Sequence, residues 1–145
     1  MYLDIYLRKN TVYVPTMGQM GKGFYRGVEP VAVVSVIDMP ALGQALKVTI
    51  ARGNPSVSQP QRRQDWPPPV LLKYAKVNSW SLFERGLLFW TLTKKSDRFQ
   101  ISGQRKQPDG MWRDDPKQII TFPPDAPVDS VVDRMIAILQ EAARN

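Results

Sequence analysis

Residues 1–15 read MYLDIYLRKNTVYVP. Leu3, Ile5 and Leu7 alternate with Tyr2, Asp4, Tyr6 and Arg8, the two-residue period of a half-buried strand. A two-residue turn at Lys9-Asn10 pairs Leu7 with Val12 and Ile5 with Val14 on one face, and sets Tyr6 opposite Tyr13 on the other. Register and pattern agree, so the chain opens with an antiparallel hairpin.

Working outward, residues 16–27 hold four glycines with Met17, Met20, Phe24 and Tyr25, the composition of a mobile surface loop with an adaptable contact patch. Val31 to Ile37, VAVVSVI, is expected as a strand buried on both faces. Asp38 is placed to cap a helix with Pro40 in its first turn, Leu42, Ala45, Leu46, Thr49 and Ile50 on one stripe, and Gly53 as its stop. Residues 54–69 contain five prolines and are expected as an exposed, extended crossing loop.

Beyond the loop, Val70 to Tyr74 is expected as a short strand, and Ser81-Leu-Phe-Glu84 fits a capping box ahead of Gly86. Leu87 to Thr93 and Arg98 to Ser102 form a second hairpin around Lys94-Lys95-Ser96-Asp97. Pro108-Asp109-Gly110 is a turn leading to a short strand at Met111-Trp112-Arg113, and Ile119 to Phe122 makes a last strand. From Val128, apolar residues recur at three-and-four spacing through Val131, Val132, Met135, Ile136, Leu139, Ala142 and Ala143, the pattern of a long amphipathic helix. The expected class is α+β, a mostly antiparallel sheet built from hairpins with packed helices, in one domain spanning residues 1–145. A chain of 145 residues removes roughly 70% of its extended surface from water and needs no staple to fold.

The sequence has no cysteine and no histidine. That excludes thiol nucleophiles, imidazole or thiolate metal sites, disulfides and every histidine-based acid–base pair. Gly21-Lys22 resembles the phosphate-cradling pair of a P-loop, but Thr16 stands where its first glycine belongs and Gly23 where Ser or Thr holds magnesium. Ser81 lacks a histidine base, and helix capping explains it more simply. Asp109, Asp114 and Asp115 are the densest carboxylates; beside Arg113 and Lys117 they read as a solvated, salt-bridged turn, with a magnesium-dependent enzyme as the sharper alternative. Binding without catalysis, cofactor or metal is the expectation.

The net charge is +7, with an excess of three in each of residues 1–52, 53–83 and 84–117 and a deficit of two in 118–145. Such an even spread keeps a protein soluble and gives nucleic acid no dedicated basic element. Basic and aromatic residues do interleave at Arg62, Arg63 and Trp66 and again at Arg105, Lys106, Trp112 and Arg113. Trp and Arg dominate protein interfaces, and stacking within a basic groove holds single-stranded nucleic acid. Trp66 and Trp112, flanked by polar and turn residues, are expected at least partly exposed, and Trp90 and Phe99 in the core. With no basic segment leading into an apolar run and no long apolar stretch, a cytoplasmic location is expected.

Three stretches carry a resemblance: YLRKNTVYVPT at 6–16, SWSLFERG at 79–86 and DGMWRDDP at 109–116. Together they resemble the small bacterial immunity proteins of contact-dependent growth inhibition, each of which binds and blocks a toxin domain from a neighbouring cell. The resemblance implies a cytosolic, non-enzymatic protein whose partner is the C-terminal domain of a toxin. Contact candidates are Arg62, Arg63, Trp66, Arg105, Lys106, Trp112, Arg113, Asp114 and Asp115. Replacing Trp112 is then expected to weaken the complex and leave the fold intact. Immunity proteins against basic nuclease toxins are commonly acidic, so a chain at +7 requires an acidic partner face or a contact away from its basic surface. The alternative function is a small basic nucleic-acid-binding module.

Overall fold

The opening hairpin forms in the register that the alternation requires. In the computed structural model, which describes residues 1–145, β1 (Tyr2–Arg8) and β2 (Thr11–Gln19) pair antiparallel with Leu7 opposite Val12 and Tyr6 opposite Tyr13. Lys9 and Asn10 both sit at positive φ, 50° and 63°, the twist that suits a two-residue hairpin. The hairpin continues into β3 (Tyr25–Ser35), is followed by α1 (Met39–Arg52), and after the proline segment by α2 (Leu71–Ala75) and α3 (Trp80–Phe83). A meander of β4 (Leu88–Lys95), β5 (Arg98–Lys106) and β6 (Trp112–Phe122) leads to α4 (Val128–Arg144). The six strands form one antiparallel sheet in the order β3-β2-β1-β4-β5-β6, so the fold class is α+β. No helix is long and apolar enough to cross a membrane.

Each face of the sheet has its own core. Leu3, Ile5, Leu7, Val12, Val14, Trp90, Leu92, Phe99 and Ile101 pack beneath α1 and α4, against Leu42, Leu46 and the Val131, Val132, Met135, Ile136 and Leu139 stripe. Asp38 Oδ1 accepts from the Ala41 amide and Gly53 closes α1 at φ 71°, while Lys47 pairs with Asp129 at 3.1 Å across the two helices. On the opposite face Tyr6, Tyr13, Leu71, Phe83 and Leu87 form a smaller, aromatic core under α2 and α3. Asn54 anchors the segment that passes between the faces: its side chain donates to the Tyr2 and Met17 carbonyls and accepts from the Tyr2 amide. Val57 then lies so close to Gly18 that a Cβ there would fall 2.6 Å from its methyl.

Several expectations are corrected. Residues 71–75 are helical, not a strand; a short apolar run has no period to separate the two, and Leu71 is buried as part of one helical turn. The four-residue helix that follows is capped by Ser79, which accepts from the Leu82 amide, and Ser81 is exposed within it. Most of the glycine-rich stretch is strand: β2 runs to Gln19, β3 starts at Tyr25, and Met17 is buried. β3 is an edge strand, with Val33 43% exposed, and not buried on both faces. The short strand at 111–113 and the strand at 119–122 are one continuous β6, so Asp114 and Asp115 lie in a strand and not in a turn. Pro116 is tolerated there because β6 is the other edge.

Candidate functional site

The aromatic face brings Trp66 to one end and Lys106, Trp112 and Asp114 to the other. Trp112 packs edge-on to Phe89 at 5.8 Å, Phe89 stacks on Tyr6 at 4.5 Å, and Tyr6 meets the Trp80 ring at 6.0 Å. Trp80 and Trp66 line a common cleft beneath the proline segment. A row of rings thus runs from the β5–β6 hairpin, through the second core, to the strap formed by residues 62–70.

At the strap end, Arg62 is held by Asp65 at 2.9 Å across a single 3-10 turn, Arg63–Asp65. Arg63 is exposed and forms no ion pair. Trp66 is 39% exposed, with an apolar cleft on one side and water on the other. Prolines 67–69 fix the backbone behind it.

At the hairpin end, Lys106 and Trp112 are directly opposite in the ladder and share one anchor on α3's C-terminal side. The Trp112 indole donates to Glu84 Oε2 at 3.0 Å and the Lys106 ammonium lies 2.8 Å from the same oxygen. Gln104 donates to Asp114 at 2.6 Å on the same face. Arg105 and Arg113, cross-strand partners one residue along, project to the other side. Arg113 grips Asp109 through both terminal nitrogens, and this guanidinium, first of all, holds the Asp109 carboxyl below its ordinary range. Asp115 is 8% exposed, accepting from the Lys117 amide and then the Gln118 side chain, which lower its pKa in that order. Asp109, Asp114 and Asp115 therefore serve three separate sets of partners and are not gathered into a metal site.

Trp112 is half-buried, with its indole committed to Glu84 and its ring to Phe89, so its loss is expected to cost stability as well as binding. Trp112→Ala is expected to lower unfolding free energy by roughly 2 kcal/mol, and Trp112→Phe, which keeps a ring but no N–H, by roughly 1 kcal/mol. Urea unfolding of both variants measures the difference.

Sequence pattern alone missed the residues in the middle of this face. Asp4 alternates as a solvent-facing residue should, yet it is 6% exposed. Its Oδ2 accepts from the Tyr6 hydroxyl at 3.0 Å and its Oδ1 is buried without a partner. Burial pushes this carboxyl up to about 6, and the neighbouring Tyr2 and Tyr6 phenols offset that only in part. The tyrosines at positions 2, 6 and 13 are the signal that this face is covered too.

Because the folded pKa of Asp4 is raised, its contribution to stability is full below the unfolded value near 3.8 and is lost as pH rises through about 6. Between pH 5 and 7.5 the native protein is expected to lose roughly 1–2 kcal/mol that Asp4→Asn does not lose, measured as the difference between their urea midpoints.

No family model matches this sequence, and no curated protein matches it. Solved structures do share its fold. A protein of unknown function from Neisseria meningitidis, NMB0488, superposes with a TM-score of 0.61 at 12% identity, over 91% of this chain and 88% of that one. A chain of the CdiA-CT/CdiI toxin and immunity complex from Yersinia pseudotuberculosis superposes with a TM-score of 0.62 at 13% identity, over 95% of both chains. At such identity the likeness is one of fold, and it agrees with the resemblance carried by residues 6–16, 79–86 and 109–116.

Proposed function

We propose that this chain is an immunity protein that binds and neutralises the toxin domain of a contact-dependent growth inhibition system. The observation that carries the reading is the fold shared end to end with a chain of a toxin and immunity complex. The immunity side of such a pair is favoured because the chain has no cysteine or histidine and its three clustered aspartates are tied to separate local partners.

The contact surface in this proposal is the aromatic face, entered from its two ends. Trp66 and Arg63 offer the exposed ring and unpaired guanidinium that anchor interfaces. Lys106, Trp112 and Asp114 form a pre-ordered second patch, since Glu84 and Gln104 already hold their polar atoms in place. Ordering these side chains before binding reduces the entropy lost on association. Neutralisation is then steric: the face covers the toxin's active site, and charge governs the approach rate while the buried ring governs dissociation.

Exposed, unpaired Arg63 and Arg105 also favour the second reading, a nucleic-acid-binding module. Affinity chromatography of a nuclease-treated lysate on the immobilised protein, eluted with rising salt, separates the two. A single protein retained in stoichiometric amount supports the toxin-binding reading. Retention of nucleic acid that falls steeply with salt, and of protein only when nuclease is omitted, overturns it.

A further inference from the structure

We propose that the cleft beneath the proline strap is a binding site for a small aromatic carboxylic acid, with the ring against Trp66 and Trp80 and the carboxylate on Arg26. This inference does not depend on the toxin-binding reading. The cleft has a volume of about 390 Å³ and lies between the strap and the strands, with Tyr6 from β1, Pro15 and Met17 from β2, and Arg26 from β3. Small-molecule sites are of this kind, mostly apolar with few polar groups, and of roughly 300–1,000 Å³.

Its walls are preformed. Pro67, Pro68 and Pro69 hold the strap extended, and Val70 packs over Gly27 of β3 beside Pro15. Trp66, Trp80 and Tyr6 give three ring surfaces on which an aromatic ligand gains contact beyond simple burial.

Arg26 is the polar group that the walls leave unanswered. It forms no ion pair, its Nε is shielded from solvent without a partner, and its one hydrogen bond is a long 3.5 Å contact from Nη2 to the Ser58 carbonyl. A guanidinium has five donors in a planar fork that matches a carboxylate. Arg26 also borders the adjoining groove along the other side of the strap, about 590 Å³, whose one carboxylate, Glu29, is already taken by Lys73 and Tyr74. The terminal nitrogens of Arg26, with one long contact between them, are therefore open to an external anion, and the Trp66 and Trp80 rings favour one that carries a ring.

The test is a titration of the whole protein with phenylacetate and with neutral phenylacetamide, following the indole N–H resonances of its four tryptophans. The expected result is that the Trp66 and Trp80 signals move with phenylacetate while Trp90 stays fixed. The acid should bind roughly tenfold more tightly than the amide, and Arg26→Gln should reduce it to the amide's affinity. Equal binding of acid and amide, shifts elsewhere, or none at millimolar acid overturns the proposal. Binding of N-acetyl-Leu-Phe with no binding of phenylacetate overturns it too, and assigns the cleft to a peptide C-terminus. Unfolding midpoints of Arg26→Gln and the native protein show whether the variant is folded; if it is not, the acid-to-amide ratio in the native protein decides.

Discussion

Phe83→Ala is expected to lower the unfolding free energy by about 3–5 kcal/mol, the largest effect of any single change on the aromatic face. Phe83 is wholly buried, with ring contacts to Tyr6 at 5.8 Å, Tyr13 at 5.6 Å and Trp80 at 5.0 Å, and the Arg8 guanidinium 6.0 Å above it. A helix as short as α3 has no stability of its own, and Phe83 is the one buried side chain that seats it. Losing that seat also frees Glu84, and with it the Trp112 and Lys106 contacts at the hairpin. The variant should therefore show a lower urea midpoint and a Trp112 environment that changes with it. A loss under about 1 kcal/mol would mean that α3 is held by other contacts.

Trp66→Ala should instead leave stability within about 0.5 kcal/mol of the native protein and weaken the partner complex by roughly 2 kcal/mol, some thirtyfold in Kd. The difference follows from position. Trp66 stands on the strap, 39% exposed, at the mouth of a cleft and outside both cores, whereas Trp112 is hydrogen-bonded into the fold. Calorimetric titration of the purified partner with native and variant protein measures it. Unchanged affinity removes Trp66 from the contact surface.

These two residues also mark how far the sequence could be read. The β1–β2 hairpin, both caps of α1 and the buried stripe of α4 were legible because period and punctuation agree there with the tertiary environment. Trp90 and Phe99 lie in the core as their strand neighbours required. Elsewhere the local signal was ambiguous. Val70 to Tyr74 is too short for period to show, Pro116 reads as a breaker until β6 is known to be an edge, and a run such as Val31 to Ile37 does not distinguish a central strand from an edge one.

For the site, composition identified which residue types would matter but not how they would be used. Trp66 and Trp112 do fall at the two ends of one ring-lined face. Arg105 and Arg113 point to the far side of their hairpin, and Asp115 folds back onto its own strand. The burial of Asp4, the cleft at Arg26 and the contacts of Glu84 with Trp112 and Lys106 were invisible because each follows from long-range packing: the covering of the tyrosine face of β1, the strap closing over β3, and the hairpin reaching the end of α3.

The most direct test of toxin neutralisation is a growth assay with the protein recovered from the nuclease-treated lysate. Its C-terminal domain is expressed from an inducible promoter, alone, with native protein and with Trp66→Ala. Expression alone should arrest growth, co-expression of the native chain should restore it, and Trp66→Ala should restore it only at higher expression. A recovered domain that is harmless by itself, or an arrest that the native chain does not relieve, would contradict the proposed function.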